Sequence, residues 1–392
     1  MRFALSTEQL DFAAELRKIL DAGQVPAAVR AWADDDTGKG RALLRQVAEM
    51  GVFGLLVDEQ YGGAEATPVD LTVALVELGR AAVPGPTIES AAVIPALLQG
   101  LPDPEPARRW LPALTGGGLL GTIAFDEPQR SIALDAETVD LVLVAGDGRI
   151  SLGRRTPDSG QAVDPTNSAP ADAASAPGQA SAGAAGDASG GSVAPASGSG
   201  STGARASVLS PLASIDPARK LFGITADELV ADGADVQEAI DYAFDHGVLA
   251  CAAQLLGAGR AILDQTTNYA KQRKQFGRAI GEFQAVKQQL ADVLIALDLA
   301  EPLLYRAALT LDSPDRTRDV SAALVACGDA AHRAARAGLQ VHGAIGYTAE
   351  YDLSVWLTRV TALRTAWGTA DFHRARIATA LRAGALSASP TS

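Results

Sequence analysis

The chain has 392 residues, of which 47% are hydrophobic and 20% are charged, and its formal net charge is −13. A chain of this length can form two or three domains around a large core. The acidic balance argues against a nucleic-acid partner, because a surface that binds a phosphate backbone needs clustered Lys and Arg.

The N-terminal sequence MRFALSTEQLDF shows no apolar stretch followed by a small-residue cleavage site, so we expect no signal peptide. No uncharged apolar run reaches about 18 residues, and we therefore expect no membrane span. Both features predict a cytoplasmic protein.

The cysteine and histidine content predicts neither a disulfide framework nor a metal site. Cys251 and Cys327 each lie in an apolar, helix-like stretch, which favours two buried thiols over a disulfide or a nucleophile. The four histidines lack the spacing to Cys or carboxylate residues that is typical of metal ligands.

Residues 1–118 are predicted to form an N-terminal helical domain. Ser6 precedes Gln9 in a capping-box arrangement, ahead of an apolar-periodic run from Leu10 to Leu20. Three further helices are predicted, one that ends near Gly51, one from about Pro68 to Ala82, and one around Ser90 to Leu98.

Residues 119–228 are predicted to form a reduced β-domain. The apolar runs GLLGTIAF and VDLVLVA and the sequence RISLG after a GDG turn indicate strands, and ARKLFGITA indicates one more. From about 155 to 207 the chain is mostly Ala, Gly, Ser, Pro and Asp, and from Gln161 to Arg205 it has no aromatic residue and no Leu, Ile or Met. Such a segment cannot bury enough apolar surface to offset the entropy of ordering it. We therefore predict a disordered linker rather than a compact loop.

Residues 229–392 are predicted to form a C-terminal four-helix bundle. Four amphipathic patterns with short connections support this, from Val236 to Gln275, Phe283 to Leu311, Arg318 to Gly343 and about Ala370 to Ala383. The fold class is therefore mainly α with a reduced central β-domain.

Two stretches of the C-terminal region carry a resemblance to a known family. They are RKQFGRAIGEFQAVKQQLADV, from Arg273 to Val293, and QVHGAIGYTAEYDLSVWLTR, from Gln340 to Arg359. At this spacing they resemble two signatures of the acyl-CoA dehydrogenase family, and GVFGLLVDEQYGG with VELGRA resembles its N-terminal helical domain. The resemblance implies an acyl-CoA dehydrogenase-like fold and FAD as the cofactor.

The side chains of these signatures suit a dinucleotide. Arg273 offers a permanently charged fork that can bind a pyrophosphate with two hydrogen bonds. Gln275, Gln284 and Gln340 combine donors and acceptors, and Gly343 permits close backbone approach. The alternative for Arg273 is an ion pair with a carboxylate such as Glu282 or Asp292.

In the family, the helices that carry these signatures bind the adenosine end of a FAD that belongs to the neighbouring subunit. The predicted cofactor-binding residues are Arg273, Gln275, Phe276, Gln284, Gln340, Gly343 and Thr369.

The chain departs from the family at its catalytic base. The family's glutamate usually precedes Gly-Thr after the second signature, but here AWGTA places Trp367 there. Some members carry the base on the preceding helix, and the spacing places Gly247 at that position. Neither residue can accept a proton, so we predict no catalytic residue in this chain.

A second departure lies in the β-domain. The family has a loop that resembles Thr-Glu-Pro-x-x-Gly-Ser-Asp, whereas GTIAFDEP is followed here by Gln129, Arg130 and Ser131. We therefore expect that this chain alone builds no pocket for the flavin ring.

With these departures, the chain resembles the non-catalytic subunit of a bacterial α2β2 acyl-CoA dehydrogenase. The resemblance implies a partner subunit that carries the catalytic Glu, a FAD shared with it, and an acyl-CoA thioester of a fatty acid or steroid side chain as substrate. It also implies electron transfer flavoprotein as acceptor. Two alternatives stay open, a homomeric flavoenzyme that uses Asp245, His246 or Asp371 as base, and a flavin-free scaffold.

Overall fold

The structure is a computed structural model that describes residues 4–125, 131–155 and 212–387. Nearly all of the predicted linker, together with Gln129 and Arg130, lies outside the described residues.

The N-terminal region is helical, as predicted. Its helices are α1 (Thr7–Ala22), α2 (Val25–Ala33), α3 (Gly38–Glu49), α4 (Pro68–Ala81), α5 (Ile94–Gln99) and α6 (Glu105–Thr115), and a π-helical turn (Glu89–Val93) precedes α5. The capping box of α1 is confirmed, since the Gln9 amide donates to Ser6 Oγ at 3.2 Å and the Ser6 amide donates to Gln9 Oε1 at 3.0 Å. The sequence analysis missed α2 and α6, because α2 is short and α6 has prolines in its first turn and its interior.

The central region forms a five-stranded sheet. Its strands are β1 (Gly121–Phe125), β2 (Ser131–Leu134), β3 (Leu141–Gly146), β4 (Arg149–Arg155) and β5 (Leu221–Asp232), in the order β1-β3-β4-β5-β2. β1 and β3 are parallel and the other pairs are antiparallel. Strand β5 is longer than the predicted strand, and it pairs with both β4 and β2.

The C-terminal region consists mainly of long helices joined by short connections. Its elements are α7 (Ala234–Gln272), β6 (Lys274–Gln275), β7 (Arg278–Ala279), α8 (Gln284–Leu309), α9 (Arg316–His342), α10 (Leu353–Ala366) and α11 (Ala370–Ser387). The predicted helical patterns correspond to α7, α8, α9 and α11, whereas α10 was not predicted as a separate helix. It lies within the second signature and just beyond it.

The 39-residue helix α7 forms the centre of the core. A Cβ atom on Gly257 would lie 1.9 Å from the Val76 carbonyl oxygen, so the small residue allows α7 and α4 to cross in close contact. Cys251 and Cys327 are buried free thiols, as predicted. Among the described residues, α7 is the one helix long and apolar enough to cross a membrane, but 89% of its apolar window is buried inside the protein. It is therefore a core helix.

Candidate functional site

Trp367 and Gly247, the two positions at which the resemblance places a glutamate, lie in direct contact. Trp367 follows the last residue of α10 and is 5% exposed. A Cβ atom on Gly247 would lie 2.2 Å from Cζ3 of the indole ring, so the ring occupies the space beside α7 that any side chain at 247 would fill. The Trp367 side chain therefore occupies the space at both of these positions.

Two phenylalanine rings lie beside the Trp367 ring, and a third lies beside one of those two. The Phe125 and Phe244 rings lie 5.7 and 5.9 Å from it, and Phe372 lies 6.3 Å from Phe244. The edge-to-face geometry of the Phe125–Phe244 and Phe125–Trp367 pairs is the arrangement that aromatic quadrupoles favour. The cluster joins the sheet to α7 and to the α10–α11 connection.

A buried histidine fixes the connection that carries Trp367. His373 Nε2 lies 2.7 Å from the Trp367 carbonyl oxygen and Nδ1 lies 3.1 Å from Ser321 Oγ. Gly368 has φ +100°, a conformation that favours glycine. The next residue, Thr369, is exposed, and its hydroxyl accepts a hydrogen bond from the Phe372 amide at 3.2 Å.

A cleft of about 660 Å³ opens beside this cluster, between the sheet and the α10–α11 connection. Its apolar walls come from three strands and from the aromatic cluster, and its polar lining includes Glu89, Arg219 and Thr369. The expectation that this chain alone builds no pocket for the flavin ring stays a prediction, because the cleft is not thereby shown to hold a flavin. The shortened sheet still pairs β2 with β5, and that pairing forms one wall of the cleft.

None of the alternative bases lines this cleft. Asp245 is 1% exposed, and its two carboxylate oxygens bind Arg376 at 2.6 Å and Arg316 at 3.0 Å. His246 is buried, and burial lowers its pKa to about 4. Asp371 is exposed and pairs with Arg374 at 3.0 Å.

The predicted nucleotide residues of the first signature lie at a tight hairpin between α7 and α8. Arg273 and Gln275 are exposed, and Phe276 is 91% exposed with φ 53°. Gln284 is the first residue of α8 and is also exposed. Among the described residues, no carboxylate oxygen lies within 4.0 Å of the Arg273 guanidinium, so the ion pair considered as its alternative role is not formed there.

The end of α9 lies beside this hairpin. The rings of Tyr269, in the last turn of α7, and His342, the last residue of α9, stack with centroids 4.2 Å apart. Gln340 and Gly343 flank this contact and are exposed, and Gly343 has φ 63°. Six of the seven predicted cofactor residues therefore occupy one end of the bundle.

Thr369 is separated from the other six. It lies beside the Trp367–Gly247 contact, and the stretch of α7 from there to Arg273 corresponds to about 39 Å at a rise of 1.5 Å per residue. The sequence grouped these residues as one set, whereas the structure divides them between the cleft and the distant end of the bundle.

The donors at the bundle end fit part of a dinucleotide. An exposed guanidinium with no carboxylate partner among the described residues suits a diphosphate, and the neighbouring amides suit polar edges of the nucleotide. Glu89 and Arg219 escaped the sequence analysis, because their relevance depends on the cleft that they line. No group of three or more His, Cys, Asp or Glu residues in the described part of the chain could hold a metal ion.

Comparisons with known proteins agree with this architecture. Residues 6–118 match the acyl-CoA dehydrogenase N-terminal domain and residues 237–382 match the acyl-CoA dehydrogenase C-terminal domain, which together exceed half of the chain. Acyl-CoA dehydrogenase IpdE2 of Mycobacterium tuberculosis is 28% identical over 335 residues, 85% of each chain. An acyl-CoA dehydrogenase of Bacillus subtilis is 29% identical over 370 residues, 87% of this chain and 90% of the relative.

Two solved structures show the same fold. Butyryl-CoA dehydrogenase from Megasphaera elsdenii superposes with a TM-score of 0.73 at 17% identity, over 97% of this chain and 100% of the other. The ChsE4–ChsE5 complex of Mycobacterium tuberculosis gives a TM-score of 0.72 at 20% identity, over 100% of both chains.

Proposed function

This chain belongs to the acyl-CoA dehydrogenase family, and we propose that within it the chain is a non-catalytic subunit that completes the FAD site of a partner subunit. The family consists of oxidoreductases that act on CH–CH bonds and generally bind FAD. The partner, a second member of the family, supplies the catalytic glutamate.

The contact between Trp367 and Gly247 carries this proposal. α,β-Dehydrogenation needs a side chain that takes the α-proton of the thioester, within hydrogen-bond reach of that proton. An indole has no acceptor for a proton, and glycine has no side chain. Because the Trp367 ring rests on Gly247, the space for a base on either element is filled.

In the proposed complex the end of the bundle contributes to the partner's FAD. The flavin supplies the acceptor for the substrate hydride. Arg273 binds the diphosphate, and Gln275 and Gln340 provide hydrogen bonds to the nucleotide, while Phe276 and Gly343 allow close contact with it. These residues are exposed in the single chain, which supports a role toward a group held by another subunit.

An uncovered apolar surface on α8 supports an assembly. Leu294, Ile295 and Leu299 are 49%, 55% and 69% exposed, and Leu303 continues the row at 40%. Ile295, Leu299 and Leu303 are spaced by four residues and so share one helix face. Contiguous exposed apolar surface of this kind is typical of a protein–protein interface.

We further propose an acyl-CoA thioester as substrate, from a fatty acid or a steroid side chain, in the cytoplasm, with electron transfer flavoprotein as the acceptor. The fold is shared by the ChsE4–ChsE5 complex and by the steroid acyl-CoA dehydrogenase Tcur3481–Tcur3483, both at 20% identity.

Co-expression tests the proposal. The chain is purified alone and together with a family member from the same genome that carries the glutamate, and bound flavin and acyl-CoA oxidation are measured. We expect a flavin-containing, active complex and a single chain with little flavin and no activity. A single chain that holds stoichiometric flavin and oxidises acyl-CoA would establish the homomeric enzyme instead. Flavin-free complexes with every partner would favour the scaffold.

A further inference from the structure

Two buried ionisable side chains, whose charges interact, line the part of the cleft that we call its inner end. Glu89, the first residue of the π-helical turn, is 4% exposed, and Arg219 is 6% exposed. Both line the cleft. Among the described residues the Glu89 oxygen Oε2 has no hydrogen-bond partner, which is costly for a buried polar atom and therefore indicates an unmet contact.

The position of Arg219 is fixed by a buried ion pair. Arg359 Nε binds Asp216 Oδ2 at 2.5 Å, and both side chains are 3% exposed. The Arg219 amide donates to the Asp216 carbonyl oxygen at 2.9 Å, closing a turn that begins at this anchored aspartate. Arg359 also donates to the Val83 carbonyl at 2.9 Å, so the turn is tied to the N-terminal helices that precede Glu89.

Burial and charge act on Glu89 in opposite directions. Burial raises the pKa of Glu89 and so favours its neutral form, whereas the positive charge of Arg219 lowers this pKa. A neutral carboxylic acid donates a hydrogen bond, and a guanidinium stays charged and donates several. Asp135 also interacts with Arg219, but burial raises its pKa to about 7, so its negative charge is only partly present at neutral pH. Arg219 therefore brings hydrogen-bond donors and positive charge to the inner end.

Most of the remaining lining of the cleft is apolar, and Ser214, Thr365 and Thr369 add hydroxyl groups to it. The aromatic cluster forms one side, and Ile132, Ile215 and Phe372 line the cleft while remaining 41%, 62% and 46% exposed. The volume of about 660 Å³ lies in the range of sites for small molecules. An apolar cleft with a few convergent polar groups at one end selects an amphipathic ligand in a defined orientation.

We propose that this cleft binds a small molecule with an apolar body and a free carboxylate, which Arg219 and Glu89 hold at the inner end. A fatty acid and a carboxylic acid with a fused-ring body share this chemistry. A simple acyl-CoA thioester has no carboxylate on its acyl part and so offers Arg219 and Glu89 no anionic partner if that part enters the cleft first. The inference uses residues at the cleft alone and does not rest on the proposed function.

Calorimetric titration of the full chain with decanoate, 1-decanol and decanoyl-CoA tests this inference. We expect saturable binding of decanoate and at least tenfold weaker binding of the other two. Arg219→Gln should weaken decanoate by about tenfold to a hundredfold, as expected for loss of a charge-assisted contact, and leave decanol unchanged. Arg154→Gln removes an exposed arginine on β4 and is the matched control, with no expected change.

Two further variants keep the test decisive if Arg219→Gln fails to fold. Glu89→Gln retains a donor of similar size and should retain most of the affinity for decanoate, whereas Glu89→Leu should lose it. Bound 10-bromodecanoate should quench the fluorescence of Trp367, and Trp367→Phe should remove that quenching while the calorimetric signal remains. Absence of saturable decanoate binding overturns the proposal, as does equal affinity for decanol, or quenching that persists in Trp367→Phe.

Discussion

At residues 247 and 367 a glycine lies directly against a large aromatic side chain. Glycine at 247 leaves room that the indole of Trp367 fills, and the surrounding phenylalanines complete a packed aromatic cluster. The contact that fills the two positions where the family places its base therefore also contributes to the core.

Gly247→Ala should destabilise the chain by about 1–3 kcal/mol, because the new methyl group overlaps the Trp367 ring. In a Trp367→Ala background the same substitution should cost much less, since the ring is gone, and urea denaturation of the four variants measures the coupling. Gly328→Ala is the control, because its Cβ would meet no atom closer than 3.8 Å in the middle of α9. Additive effects of the two substitutions would contradict the contact.

His246 supplies a pH-dependent term in stability. Both ring nitrogens are buried and have no hydrogen-bond partner in the described part of the chain, and burial lowers the folded-state pKa to about 4. Below pH 6.5 the unfolded chain takes up a proton that the folded chain does not, so stability falls as the pH falls from 6.5 toward 4. His246→Phe should remove about 2 kcal/mol of the loss between pH 7.5 and pH 5.

Denaturant titrations of both proteins at the two pH values measure this difference. Tyr242, Asp245, Asp312 and Arg316 are unchanged by the substitution, so their contributions cancel in the comparison. Identical pH slopes for the two proteins would show that His246 is not buried in its neutral form.

At the scale of elements, the hairpin between α7 and α8 presents Arg273 to the exterior. Phe276 and Gly277, with φ 53° and 80°, form its tight turn, and the two-residue strands β6 and β7 pair across it. Such a turn holds the arginine at the end of a rigid helix rather than on a long loop. This is the placement that a diphosphate contact in a partner subunit requires.

Arg273→Ala should lower the FAD affinity of the co-expressed complex about tenfold to a hundredfold, since a charge-assisted contact to phosphate contributes about 1.5–3 kcal/mol. Arg273→Lys should restore it only in part, because an ammonium cannot reproduce the guanidinium fork. Flavin retention on dilution is the measurement. Arg278→Ala is the control within the same hairpin. The Arg278 guanidinium lies over the Phe283 ring of its own chain, 4.2 Å from the ring centroid, and Arg278 is not one of the predicted cofactor residues. Full flavin occupancy in the Arg273→Ala complex would assign this arginine a structural role.

At the scale of the whole molecule, the segment between β4 and β5 connects points that lie close together. Arg155, at the end of β4, pairs with Ile224, and Leu212 forms a bridge with Leu221. These partners lie three residues apart on β5, which corresponds to about 10 Å along the strand. A short connection can therefore join the two ends.

Replacing residues 157–206 with a short Gly-Ser tether should leave the melting temperature and the assembly with the partner unchanged. The composition of this segment predicts that it adds nothing to the core, and loop-closure entropy depends only weakly on length. Thermal denaturation and gel filtration of the two proteins test this expectation. A drop of several degrees in the melting temperature would show that the segment packs against the remainder of the chain.

The family and most of the helical regions could be predicted from the sequence, and the absence of a catalytic base stays a prediction. Signatures at fixed spacing and apolar periodicity are local properties of the sequence. A tryptophan or a glycine at a position where the family has a glutamate can likewise be read directly from the sequence. The domain boundaries at 118 and 228 stay predictions, since one large apolar cluster extends through all three regions, beside a smaller cluster within the sheet.

The contacts between these residues became apparent only from the folded structure. It brought Gly247 and Trp367 into contact across 120 positions of sequence, and it separated Thr369 from Arg273 by most of the length of α7. It also revealed the cleft with Glu89 and Arg219, which come from a π-helical turn and a loop with no shared pattern. Contacts between distant segments follow from the packing of whole elements, and no local pattern in the chain encodes them.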